Sequence, residues 1–182
     1  SSKLQHSFPH SWRSKAPLVY RATSQWFISM EKKDLRKKAL KSIDETAFYP
    51  PKGKERIRSM IETRPDWCIS RQRIWGVPLP LFVSKKTKEP LKDPEIIENI
   101  AKIYEKEGAD CWFTDDPQKF LGKKYKKEDY IKTSDIVEVW FDSGASHSYV
   151  LENRKDLMWP ASMYLEGSDQ HRGWFHSSLL ES

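Results

Sequence analysis

Met163-Tyr-Leu-Glu-Gly-Ser-Asp-Gln-His-Arg-Gly-Trp-Phe-His-Ser-Ser-Leu-Leu180 is the stretch on which the fold turns. It reads as a short apolar strand over Met163 to Leu165, a tight polar turn over Glu166 to Gln170, and a helix from about Asp169 onward. Gly167 suits a sharp turn because it lacks a Cβ. Ser168 or Asp169 suits the N-cap because a side-chain oxygen can accept from the first-turn amides. Trp174, Phe175, Ser178 and Leu179 recur at helical spacing and give the helix a face to bury. A strand that ends in a Gly-acid turn and opens a helix is where open α/β sheets bind ligands. Glu166, Asp169 and Gln170 would then face a crevice. A surface loop with an ordinary helix cap has the same local pattern.

Working outward, the 182 residues suit one domain or a domain with an appendage. Aromatic residues are abundant enough (eight Trp, seven Tyr, eight Phe) to predict a packed core rather than a disordered chain. The net charge of +6 fits an anionic partner such as RNA, and equally a lysine-rich solvated surface. Cys68 and Cys111 lie outside any CxxC pair, which fits a reducing, cytoplasmic compartment. No run approaches the roughly 20 apolar residues of a membrane-spanning helix, so no membrane partner is expected. The chain reads as a piece of something larger.

In order along the chain, Leu18 to Ala22 reads as a strand and Trp26 to Ile28 as a second extended piece. A helix from Asp34 carries Leu35, Ala39, Leu40 and Ile43. Pro50-Pro51 interrupts, and Gly53 to Thr63 forms the next helix. Leu81 to Val83 is a strand. Asp93-Pro94 opens, and Gly108 closes, the clearest amphipathic helix, along Ile96, Ile97, Ile100, Ile103 and Tyr104. Cys111 to Phe113 reads as a short strand, residues 114–134 as a lysine-rich surface excursion, and Ile136 to Phe141 as a last strand before the polar turn Asp142-Ser-Gly-Ala-Ser146.

Metal binding is not expected. His171 and His176 are five apart, off a shared helical face, and Pro9 separates His6 from His10. No G-x-S-x-G elbow, P-loop or GxGxxG occurs. Arg71 and Arg73 sit among apolar residues near Trp67 and Trp75. They either bind phosphate or stack on a base, or pair with internal carboxylates. Trp140-Phe-Asp-Ser-Gly144 and Leu165-Glu-Gly-Ser-Asp-Gln170 each place an acid and a glycine at a strand end. If the strands are neighbours, the acids, Trp140 and Trp174 would line one aromatic-walled pocket. Tryptophans buried in a core are the plainer alternative.

Four segments together resemble the isoleucyl members of the class I aminoacyl-tRNA synthetases: Trp12 to Phe27, Arg64-Pro-Asp-Trp-Cys-Ile-Ser-Arg-Gln-Arg-Ile-Trp-Gly-Val-Pro78, Val139-Trp-Phe-Asp-Ser-Gly144 and Tyr164 to Phe175. The resemblance implies an α/β fold, part of a Rossmann-type catalytic domain. Residues 1–45 would be the end of an editing insertion and its return ribbon, and 46–182 the second part of the catalytic domain, with a small α+β insertion at about 84–134. It implies activation of isoleucine with ATP, aided by Mg, and transfer to tRNA(Ile). Glu166, Gly167, Asp169 and Gln170 would lie against the adenylate, Trp140 and Trp174 around the isoleucine side chain, and Arg71 and Arg73 near tRNA or phosphate. No general acid or base is implied, since such sites position groups and stabilise charge.

The family's His-Ile-Gly-His and Lys-Met-Ser-Lys-Ser signatures do not occur in these 182 residues. The chain alone is therefore expected not to activate isoleucine. Ser11 and Ser14 flank Trp12-Arg13 where some members carry zinc-binding cysteines, so no zinc is expected. The whole protein is expected to be monomeric, and this piece, with exposed sheet edges, to self-associate. A non-catalytic RNA-binding or assembly module is the rival reading.

Overall fold

The computed structural model describes residues 3–182; Ser1 and Ser2, the start of the segment expected to close an editing insertion, lie outside the described residues. The polypeptide builds two hydrophobic cores, joined by a narrow antiparallel passage.

The first core begins at β1 (Phe27–Ile28), which pairs antiparallel with β2 (Trp67–Cys68). Between them lie α1 (Leu35–Glu45) and α2 (Lys52–Glu62). Their apolar residues recur every three or four positions, so Ala39 and Ile43 face Ile57 and Ile61 in the interior, with Met30 and Trp67. Arg36 finishes the C-terminus of α2. Its guanidinium donates to the carbonyls of Ile61, Glu62 (3.1 Å) and Arg64 (2.8 Å), in the last turn of the helix and just past it, where regular α-helical amide partners run out.

The second core forms around β4 (Phe82–Ser84), paired antiparallel with β5 (Tyr130–Lys132), and α3 (Pro94–Glu107). α3 starts as the sequence predicts: the Asp93 carboxylate accepts from the Glu95 amide at 3.0 Å, Pro94 occupies the first turn, and the helix stops at Gly108. Ile96 and Ile100 are buried, whereas Ile97 faces solvent. Trp112 is the centre of this core. It is fully buried against Phe82 and Phe120, and its indole N–H donates to Thr133 O at 2.8 Å.

The passage between the cores is β3 (Ser70–Arg71) against β6 (Ile136–Val137), reinforced by Leu79 N–H to Asp135 O and Val137 N–H to Val77 O. After β6 the chain returns to the first core through α6 (Val139–Gly144), a π-helical turn (His147–Glu152) and α7 (Trp174–Glu181).

Several expectations are corrected. Leu18 to Ala22 is not a strand; Val19 and Tyr20 are exposed, and the local feature is a single bridge between His10 and Pro17. Cys111 to Phe113 belongs to a helix, α4 (Cys111–Thr114), because a helical turn puts Cys111 and Trp112 together into the second core. The excursion at 114–134 is partly interior: α5 (Pro117–Leu121) buries Phe120 and Leu121. The strand expected over Ile136 to Phe141 ends at Val137, and Trp140 to Gly144 is helical. Met163 to Leu165 pairs with no strand among the described residues, and Met163 and Leu165 are exposed. A strand lacking a hydrogen-bonded neighbour has little to hold it extended. All three two-stranded ladders are antiparallel, so the α/β class is evident while the parallel sheet of a Rossmann domain is not among the described pairings.

Candidate functional site

Of the two segments expected to meet as strand ends, Trp140 to Gly144 is helical, and its packing partner is the helix that follows the second segment rather than Leu165 to Gln170 itself. α6 packs on α7, with Gly144 at the crossing. A Cβ on Gly144 would fall 2.9 Å from that of Ser177, so the helices approach this closely only with glycine there. Ser178 Oγ donates to Gly144 O at 2.8 Å and also meets the Tyr164 hydroxyl at 3.2 Å.

This crossing fixes Trp174. Its indole N–H donates to Ser143 O at 2.8 Å, its ring stacks on Tyr164 at 4.6 Å, and it is half-buried. Its backbone N–H is capped by Gln170 Oε1 at 2.9 Å. The expected caps, Ser168 and Asp169, are displaced because residues Ser168–Arg172 form a 3-10 turn that delays the α-helix to Trp174. Gly167 is an ordinary extended residue (φ −66°, ψ 157°), so the turn does not need its conformational freedom. The close approach is at Gly173: a Cβ there would sit 2.6 Å from Gln170 Oε1, displacing the cap, and 3.1 Å from the Trp140 ring.

Trp140, Gln170, Gly173 and Trp174 are thus brought together, with Trp140 41% exposed and overhanging a bare backbone floor. Asp169 accepts from Gln170 Nε2 at 3.1 Å, and Glu166 and Gly167 stand exposed at the start of the turn. Arg71 and Arg73 do not act as a pair. Arg71 donates to the carbonyls of Cys68 (2.9 Å) and Ser70 (2.8 Å) and lies 3.9 Å from the buried Glu138 carboxylate, which is the internal-pairing alternative. Arg73 is exposed beside the exposed Ile74 and Trp75, while Trp67 is buried against Arg64 instead.

Electrostatically, the back of α6 and α7 is unusual. Burial, then the nearby Asp142 and Glu138, push the Glu181 carboxyl up to about 8. Asp142 is raised for the same two reasons, burial and Glu138. Burial followed by the positive Arg64 holds His176 down to about 4. No local sequence pattern marks these groups, because their burial comes from tertiary packing. Among the described residues no cluster of three His, Cys, Asp or Glu side chains is placed to hold a metal. No described helix is long and apolar enough to cross a membrane.

Chemically, the site offers an aromatic overhang for an apolar group, a bare backbone floor, and carboxylate and amide oxygens for ammonium or hydroxyl hydrogens. Nothing in it is arranged as a nucleophile with its base. The arrangement suits binding and positioning rather than covalent chemistry.

Comparison with known proteins is consistent along the chain. The family model of class I tRNA synthetases (I, L, M and V) matches residues 11–182. The isoleucine–tRNA ligase of Pelagibacter ubique is 75% identical over 182 residues, all of this chain and 20% of that protein. Those of Zymomonas mobilis and Caulobacter vibrioides are each 54% identical, over 100% and 98% of the chain and 20% and 19% of their own lengths. The chain spans about a fifth of the length of these curated relatives.

Proposed function

The chain belongs to the class I tRNA synthetases, and from that premise we propose that it is part of an isoleucine–tRNA ligase, contributing the adenylate and isoleucine contacts of the catalytic domain. The observation that carries this reading is the 75% identity to such a ligase across the whole chain. The complete protein would activate isoleucine with Mg-ATP, a substrate, and pass it to tRNA(Ile) in the cytoplasm. Residues 1–45 would end the editing insertion, 46–182 complete a Rossmann-type domain, and 84–134 form its inserted subdomain.

In this reading Gly173 lets the reacting group approach the backbone, and Trp140 and Trp174 border the aliphatic side chain. Glu166 and Asp169 accept from ammonium or ribose hydroxyl hydrogens, and Gly167 and Gln170 complete the adenylate contact. Trp174 is held by Ser143 and Tyr164, so it acts as a rigid wall. Rate enhancement comes from alignment and charge stabilisation. Arg73, exposed beside Trp75, is the better candidate of the two arginines for a tRNA contact, since Arg71 is engaged with backbone carbonyls.

The test uses the full-length protein that carries this chain. Glu166→Gln leaves the fold intact because the residue is exposed. It is expected to lower isoleucine-dependent pyrophosphate exchange by about tenfold or more, the cost of a charge-assisted hydrogen bond. Exchange unchanged in Glu166→Gln and in Trp140→Ala would overturn the site. The 182 residues alone are expected to show no exchange, and measurable exchange by them would overturn that expectation.

A further inference from the structure

A second concavity, of about 300 Å³, opens between the end of α2 and the start of α7, lined by Met60, Thr63, Arg64, Pro65, Arg172 and His176. It shares the Ser168–Arg172 turn with the candidate site but none of the residues proposed there as ligands. Two guanidiniums and an imidazole line it, and no lining residue is acidic. Arg64 is held in place by its guanidinium packing 5.3 Å above the Trp67 ring. Its Nε is buried and has no hydrogen-bond partner among the described residues. His176 is 6% exposed, and its Nε2 is likewise buried without a partner among them. Buried polar atoms are satisfied in the great majority of cases, and two orphans beside one cavity call for a shared partner.

A partner that accepts hydrogen bonds and carries negative charge answers the two guanidiniums, which are donors only, and it meets His176 Nε2 when that nitrogen carries a proton. Arg64 and Arg172 both disfavour the protonated form of His176, as two cations near one imidazole do. Glu138 acts on Arg64 only through space, without an ion pair among the described residues. A tetrahedral oxyanion fits guanidinium geometry, which presents paired N–H donors. We propose that the Arg64, Arg172 and His176 groove binds a phosphate-class oxyanion, either a free phosphate or a phosphodiester of RNA. Arg64 supplies the fixed, partly desolvated fork, Arg172 closes from the solvent side, and His176 Nε2 completes the cradle.

The experiment follows the five histidine rings of the chain by NMR at constant ionic strength, set with sodium chloride. Inorganic phosphate is titrated in one arm and a short oligoribonucleotide in the other. A saturable shift of the His176 resonances is expected, with its titration midpoint rising by about one pH unit as the anion offsets the two guanidiniums. His6 and His10, on the exposed N-terminal segment, are expected to stay unmoved. Arg172→Gln, at an exposed position, is expected to weaken the response about tenfold, and Arg64→Lys to weaken it while keeping the charge. The probe that saturates at lower concentration identifies the source. No response of His176 beyond that to chloride, or an equal response in Arg172→Gln, would overturn the proposal.

Discussion

Glu181 and His176 lie on the same helix and titrate in opposite senses, which gives the protein a testable pH profile. The His176 pKa is depressed from 6.5 to about 4 on folding, so the unfolded chain binds the proton more readily. Its contribution is complete above pH 6.5 and is lost as pH falls toward 4. His171, lowered by burial and then by Arg56, acts in the same direction. The Glu181 pKa is raised from 4.5 to about 8, so its contribution is complete below pH 4.5 and is lost as pH rises through 8; Asp142 has the same sign. Between 4.5 and 6.5 the two slopes oppose one another, so the wild-type profile is expected to be flatter there than on either side. His176→Gln is expected to remove the loss on the acid side, and Glu181→Gln the loss on the alkaline side. Each effect is about 1–3 kcal/mol after allowance for solvent at partly buried sites. Urea unfolding from pH 4 to 9 in phosphate-free buffer reads both limbs. Profiles for the two variants that run parallel to wild type would remove these groups as the cause.

The α6–α7 crossing decides whether the candidate site exists as drawn, and Gly144 is its most sensitive point. Gly144→Ala would push a methyl into Ser177 and the Glu181 carboxylate, at an expected cost of about 1–3 kcal/mol. Ser178→Ala removes the hydrogen bond to Gly144 O and is expected to cost about 1 kcal/mol. Thermal unfolding checks both; a Gly144→Ala protein as stable as wild type would mean the helices do not touch there. The same crossing shows where sequence reading succeeds and where it stops. α3 was legible in full because Asp93, Pro94 and Gly108 are local signals with local causes. α1 and α2 were legible because their apolar periodicity matches one buried face. Trp140 to Gly144 was misread as the end of a strand, since a short apolar run followed by a polar turn does not separate strand from helix. That the Trp140 segment lies beside the helix bearing Trp174 was legible. That they meet through a helix crossing depends on contacts 31 and 34 residues apart, whereas the Gln170 cap on α7 is local and follows from the 3-10 turn before it.

Across the whole molecule, two cores share little besides the β3–β6 ladder and the neighbouring hydrogen bonds of Val77 and Leu79. Neither aromatic cluster reaches the other: Trp67 packs with Phe141, while Trp112 packs with Phe82, Phe120 and Tyr104. Stability in such a chain is expected to be regional rather than uniform, with each core opening as its own cooperative unit. Trp112→Ala tests this. It deletes the central side chain of the second core and strands the Thr133 carbonyl, at an expected cost of about 3–5 kcal/mol to that unit. Among the described residues Trp112 packs within the second core, so amide exchange at Ala39, Ile43, Ile57 and Ile61 is expected to stay at wild-type rates. Exchange at Ile96, Ile100 and Phe120 is expected to accelerate by two to three orders of magnitude, about 1.4 kcal/mol corresponding to each factor of ten. If α1 and α2 exchanged faster by the same factor, the passage at β3–β6 would be transmitting the loss and the two cores would be one folding unit. If they do not, the second core can vary in sequence and surface charge without disturbing the α6–α7 crossing, because its stability is stored on the far side of a two-residue ladder.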